Sequence, residues 1–168
     1  MIGHHTALPH FPVEGGCICG SVRYRLKAMP LTVYRCHCKD CQRSSGAGFS
    51  MSAIVPAEAI ELISGEPVVF EKTAQSGNRL KMMRCGTCGT LVWNRPASGN
   101  AIVLKPGTLD DASWAVPVGN IWTASAVPWA GIDRGDVNFE GQPTSRQPLF
   151  DAWARVMGVA EGEGESEG

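Results

Sequence analysis

Long apolar runs are missing from this 168-residue chain, and so is any strong excess of charge. No stretch approaches the roughly eighteen apolar residues of a membrane-spanning helix, so no membrane partner is expected. The N-terminus, "MIGHHTALPHFPVEGG", has neither the basic nor the apolar segment of a secretory leader, and the expectation is a cytoplasmic protein. Charged residues make up 18% and the net charge is −1. The tail "EGEGESEG" holds four of the sixteen acids and no base, so the preceding residues set fifteen bases against twelve acids, a net of +3. That is too little for the concentrated basic face of a nucleic-acid-binding protein. It remains compatible with a small anionic ligand.

Helical periodicity is also scarce. Short β-like runs dominate: "SVRYRL" (21–26), "LTVYRC" (31–36), "GFSMSAIV" (48–55), "PVVFEK" (67–72), "RLKMMRC" (79–85), "TLVWN" (90–94) and "AIVLK" (101–105). Turn residues separate them, as in "SGEP", "QSGN" and "KPGTLDD". "GNIWTAS" (119–125) and "VPWAGI" (127–132) are further strand candidates, and "PAEAIELI" (56–63) can begin a helical turn. In "SVRYRL", Val22, Tyr24 and Leu26 share one face. The fold class is therefore mainly β. The clearest helix signal is "QPLFDAWARVMG" (147–158), where Phe150, Trp153, Ala154 and Met157 form an apolar stripe and Gly158 supplies a stop. Residues 159–168, rich in Gly and Glu, are expected to be disordered. The organisation expected is an N-terminal extension (1–13), a core domain (14–146), the C-terminal helix (147–158) and the acidic tail (159–168). Trp93, Trp114, Trp122 and Trp129 are core candidates by their apolar bulk.

Seven cysteines are present, and they are clustered. An odd number in a reducing compartment points away from a disulfide framework and towards metal chelation. "RCGTCGT" (84–90) is a C-x-x-C knuckle whose glycines tolerate a tight turn. "GGCICGS" (15–21) offers C-x-C, whose two side chains point the same way in an extended chain. Cys17, Cys19, Cys85 and Cys88 together make the four-thiolate set of a closed, structural zinc site.

The other three, Cys36, Cys38 and Cys41, fall within "YRCHCKDCQR" (34–43) and lack an obvious fourth ligand. His37 lies between two of them and is read as a packed or hydrogen-bonding neighbour; Asp40 is read as a turn residue. Three thiolates with a vacant position are the arrangement of a catalytic zinc, and such a centre suits a thiol as its fourth ligand. A metal-free redox pair, Cys38 with Cys41, and a second structural site are the rival readings. Lys39 and Arg43 flank Cys41 and are candidate contacts for an anionic substrate, with "SSGAG" (44–48) as a source of backbone donors.

The stretches "EGGCICGSVRYRL", "VYRCHCKDCQRSSGAGFSMSAIVP", "LISGEPVVF", "RCGTCGTLVWNR", "GTLDD" and "IWTASAVPW" resemble the glutathione-dependent formaldehyde-activating enzyme family, also called the CENP-V/GFA domain family. The resemblance spans residues 14–143. It implies an Mss4-like fold of small twisted antiparallel sheets around zinc. It also implies a structural zinc on Cys17, Cys19, Cys85 and Cys88, and a catalytic zinc on Cys36, Cys38 and Cys41, two ions per chain. The implied activity is that of a carbon–sulfur lyase joining a small-molecule thiol, glutathione, to formaldehyde as S-hydroxymethylglutathione. Where many relatives carry a histidine before "IW" and a basic residue before "PW", this chain has Asn120 and, allowing for an extra Val127, Ala126. A non-catalytic zinc module, either a glutathione carrier or a protein-interaction domain, is the alternative.

Overall fold

The computed structural model describes residues 8–158. The acidic tail expected at 159–168 lies outside the described residues, as does most of the N-terminal extension. Among the described residues, eleven strands and two α-helices are formed, mostly by short β-prone runs between turns. β1 (Val13–Gly16), β2 (Arg23–Leu26) and β5 (Ile60–Ser64) pair antiparallel as a three-stranded sheet in the order β1-β2-β5. The larger sheet has eight strands. It contains β3 (Thr32–Cys36), β4 (Ser50–Pro56), β6 (Val68–Thr73), β7 (Arg79–Arg84), β8 (Leu91–Pro96), β9 (Ala101–Leu104), β10 (Gly119–Ile121) and β11 (Val137–Asn138). Their order is β11-β10-β3-β4-β9-β8-β7-β6.

The mainly β expectation holds, with a C-terminal helix. Most strand pairs are antiparallel, as expected, and β10 departs by pairing parallel with both β3 and β11. Residues 122–136 join β10 to β11, and a long connection of this kind is what parallel pairing needs.

Side-chain alternation gives the larger sheet two dissimilar faces. Val33 on β3 and Ala53 and Val55 on β4 join the main core, with Tyr24, Leu26, Val92, Leu104 and Trp114. The alternate positions Tyr34, Cys36 and Ile54 join a smaller cluster with Cys38, Ile121 and Leu149 on the other face. Val22, Tyr24 and Leu26 are all buried, as the alternation in "SVRYRL" requires. The "GTLDD" segment closes on β1 through an Arg23–Asp110 ion pair and Asp110 N–H to Glu14 O at 3.0 Å. Gly15 is needed there, because a Cβ would come within 2.5 Å of Thr108 O and the Tyr24 hydroxyl.

Several local expectations are corrected. "VPWAGI" forms a 3-10 turn at Pro128–Ala130, where Pro128 has no N–H to give to a strand ladder. Only Gly119–Ile121 of "GNIWTAS" is strand. In "PAEAIELI" the expected helical turn does form, as a 3-10 turn at Ala57–Ala59, and it runs directly into β5. Trp93 and Trp114 are core residues, whereas Trp122 is half-buried and Trp129 is 72% exposed, lying over Gly48.

The C-terminal helix, α2 (Gln147–Val156), buries Leu149, Ala152 and Trp153 rather than the whole Phe150–Met157 stripe. It docks where Thr32 Oγ1 donates to Leu149 O at 3.0 Å and where Gly119 leaves room for Leu149. That contact rotates the buried face by about one position. The short helix α1 (Lys39–Ser45) was not anticipated from the sequence. No helix among the described residues is long and apolar enough to cross a membrane.

Candidate metal centres

Two groups of thiols are brought together, and each could hold a metal ion. Within each group the sulfurs lie within 4.8 Å of one another. The groups are built differently.

The four-thiol group joins two glycine knuckles. One follows β1: Cys17 N–H donates to Val22 O at 3.0 Å and Gly20 N–H to Cys17 O at 3.1 Å. The other links β7 to β8: Cys85 N–H donates to Thr90 O and Gly89 N–H to Cys85 O, both at 2.9 Å. Gly20 and Gly89 take φ of 77° and 75°, a left-handed conformation that a side chain would strain. Cys17 and Cys19 sulfurs are 3.5 Å apart, and Cys19 and Cys85 sulfurs 3.7 Å. Burial pushes the Cys17 thiol up, but the Val22 N–H and the neighbouring thiols outweigh it and the net shift is downward. Cys88 is lowered to about 5, chiefly by its hydrogen bond with the Thr90 hydroxyl. A thiolate needs donors or a cation beside it; this set supplies both kinds of place.

The three-thiol group comes from the end of β3 and the start of α1. Cys36 ends the strand, and Cys38 caps the helix, its sulfur accepting from Cys41 N–H at 3.4 Å. Gly46, at φ 66°, closes the helix with its N–H on Gln42 O. One tight strand-to-helix turn therefore converges three sulfurs. Such close thiols cannot all ionise without a cation. Bonds from Cys36 and Cys41 hold Cys38 far below its ordinary range, and Cys36 is pushed far up by its bonds with Cys38 and Cys41. For Cys41 the bond with Cys36 lowers, but the bond with Cys38 and burial prevail, raising it to about 11. A divalent soft-to-borderline cation removes that conflict, so the donor set fits such an ion.

His37 is fully buried and is held by a hydrogen-bond network. Asn120 Nδ2 donates to Asp136 Oδ2 at 3.1 Å and Asn138 Oδ1 at 2.8 Å, leaving Asn120 Oδ1 to accept from His37 Nε2 at 3.0 Å. Asp136 in turn pairs with Arg35 at 2.9 Å. Asn120 is thus sealed in this network. Asp40 sits in α1 and accepts from Gln75 N–H and from Lys72, both at 2.9 Å.

A cavity of about 140 Å³ covers the three-thiol group. Its floor is the second face of the large sheet: Tyr34 and Cys36 on β3, Ser52 and Ser50 directly opposite on β4, then Val103 and Asn94. Cys38 and Cys41 complete the sulfur wall, and the half-buried Trp122 forms part of the rim. Trp122 is the one non-glycine residue with positive φ (61°) among those described, a costly conformation for a bulky side chain. Its N–H bond to Gly141 O holds it there.

Of the sequence-predicted contacts, Lys39 is exposed and bonds Gln42 and Ser125, and Arg43 is exposed; neither lines the cavity. Three other cations do: Lys72, Lys105 and Arg146. Lys105 donates to Ser50 Oγ at 3.0 Å and Ser52 Oγ at 3.3 Å. Burial lowers its pKa, against the opposing pull of the three thiols. It was findable, since Lys105 continues the parity of Val103 at the end of "AIVLK". Arg146 was not, because its place depends on how α2 docks. Arg84 links the two centres: it donates to Gly89 O at 2.9 Å in the second knuckle and to Ser44 Oγ at 3.1 Å on α1.

Comparison with known proteins adds a family. The family described as "Glutathione-dependent formaldehyde-activating enzyme" matches residues 12–125, a span that includes all seven cysteines. No curated protein matches. A crystal structure of a Rhodobacter sphaeroides protein is similar at 16% identity and a TM-score of 0.48, covering 75% of this chain and 98% of that one.

Proposed function

Because this chain belongs to the glutathione-dependent formaldehyde-activating enzyme family, we propose that it is a zinc-dependent carbon–sulfur lyase or synthase acting on a thiol adduct. Glutathione with formaldehyde, giving S-hydroxymethylglutathione, is the first substrate pair to test. The observation that carries the reading is the contrast in ligand number at an accessible place: three thiols converge on a cavity, and no fourth His, Cys, Asp or Glu joins them among the described residues. Zinc fits both thiol groups by donor type, one ion closed by four sulfurs and one left with a free position. A reducing cytoplasm would keep all seven thiols available as ligands.

A zinc ion on Cys36, Cys38 and Cys41 would lower the pKa of a thiol bound beside them, favouring its nucleophilic form. The chain's own contribution is placement. The β3–α1 turn fixes the three sulfurs, and the sheet floor brings the Ser50 and Ser52 hydroxyls alongside. In the forward reaction the substrate sulfur forms a bond to the carbonyl carbon of formaldehyde. The carbonyl π pair becomes an alkoxide, which takes up the proton the thiol released and ends as the hydroxymethyl group. Holding the two reactants together in the cavity converts an encounter into a local event. Ser44, Ser50 and Lys105 also border a second hollow of about 480 Å³, which gives a tripeptide-sized thiol room beyond the cavity.

The test is exchange of formaldehyde with glutathione, followed by NMR, with and without zinc-loaded protein. Accelerated exchange that disappears in Cys38→Ser supports the enzyme. Glutathione binding without acceleration supports a carrier. One observation favours a protein-interaction module instead: Val68, Val69 and Phe70 on the edge strand β6 are 43–55% exposed. Neither binding nor acceleration would turn attention to that edge.

A further inference from the structure

We propose that Arg146 is a specificity-determining residue of the cavity, and that the thiol substrate is one bearing a carboxylate, which Arg146 receives. The inference rests on the thiol reading above but concerns a residue outside the matched family span, on a helix that reading did not use.

Arg146 immediately precedes α2 at its capping position, where a guanidinium, having only donors, cannot cap the helix. It lines the cavity instead, together with Cys36, Cys38 and Cys41. Its Nε is buried without a hydrogen-bond partner, and no carboxylate lies within 4.0 Å of its guanidinium among the described residues. The other cations there are already engaged: Lys72 pairs with Asp40, and Lys105 bonds two serine hydroxyls beside the thiols. A guanidinium is a rigid fork of donors that matches a carboxylate with two parallel bonds. A buried donor left without a partner is costly unless something supplies the acceptor. The helix makes the placement firm rather than incidental, since Leu149 and Trp153 are 0% and 1% exposed and Leu149 O is bonded by Thr32.

The experiment is calorimetric titration of the zinc-loaded protein with 3-mercaptopropionate and with neutral 3-mercapto-1-propanol. Wild type is expected to prefer the acid by roughly tenfold or more, the worth of one charge-assisted pair. Arg146→Gln should remove the preference while leaving zinc per chain, melting temperature and affinity for the alcohol in place. Arg146→Lys should restore part of it, and Arg43→Gln should not disturb it. Binding of both thiols by wild type with equal affinity, or a preference that survives Arg146→Gln, overturns the assignment. S-methylglutathione, which has carboxylates but no free thiol, separates this inference from the thiol reading. If it binds wild type and is weakened by Arg146→Gln, the carboxylate site stands even when no free thiol binds. If neither the thiols nor S-methylglutathione bind, the site is refuted.

Discussion

The two cysteine groups look alike in composition and differ in what they tie together. The four-thiol group joins segments 66 or more residues apart, the turn after β1 and the loop between β7 and β8. Closing so long a loop costs the folding chain entropy that an ion must offset, and in return the ion couples two distant parts of the fold. The three-thiol group spans six residues and is already converged by a strand end and a helix cap. An ion there has little folding left to do. The difference teaches that ligand separation along the chain, more than ligand number, sets whether a metal acts on stability or is left for chemistry.

The comparison is broken most directly by Cys85→Ser against Cys38→Ser. Structural zinc is worth roughly 10–16 kcal/mol in small peptides, comparable to a whole domain's stability of about 5–15 kcal/mol. Cys85→Ser should therefore abolish cooperative thermal unfolding. Cys38→Ser should keep the unfolding transition and lose one zinc by elemental analysis. Equal losses of stability would sink the division.

A smaller effect is expected from Asn120→Ala, which strands His37 Nε2 and the Asp136 and Asn138 acceptors in a buried network. The cost should be about 2–4 kcal/mol in denaturant unfolding. Because His37 sits between Cys36 and Cys38, a chelator should also strip the three-thiol site faster while the four-thiol site is unchanged. Arg84→Gln cuts the link between the knuckle and α1 and should cost about 1–2 kcal/mol. Retention of both ions at wild-type rates in that variant would show that the centres are independent.

The smallest effect belongs to Trp129→Ala. Its indole is mostly exposed, so stability should stay within about 0.5 kcal/mol.

The grouping of the cysteines was legible because chelation is a short-range property. Thiols two or three residues apart, with glycines at Gly20 and Gly89 for the reversal, can meet one ion whatever surrounds them. Alternation in "SVRYRL" and the general run of short strands were legible for the same reason: a local period reports which side chains share a face. Helix α1 was hidden, because its start is a cysteine cap and its seven residues bury no apolar stripe. Trp129 was misplaced because apolar bulk says how much a side chain gains from burial, not whether a neighbour is there to cover it.

By itself, then, the sequence determined the β character, the C-terminal helix and the four-plus-three partition of the thiols, all consequences of spacing along one chain. Only the tertiary structure decided which charges face the thiols. Lys105 lines their cavity from just past β9, and Arg146 from just before α2, more than a hundred residues after Cys36. Lys39 and Arg43, adjacent in sequence, turn to solvent instead. A cavity is an intersection of distant surfaces, and strand order and helix docking, which no local pattern encodes, decide which side chains meet in it.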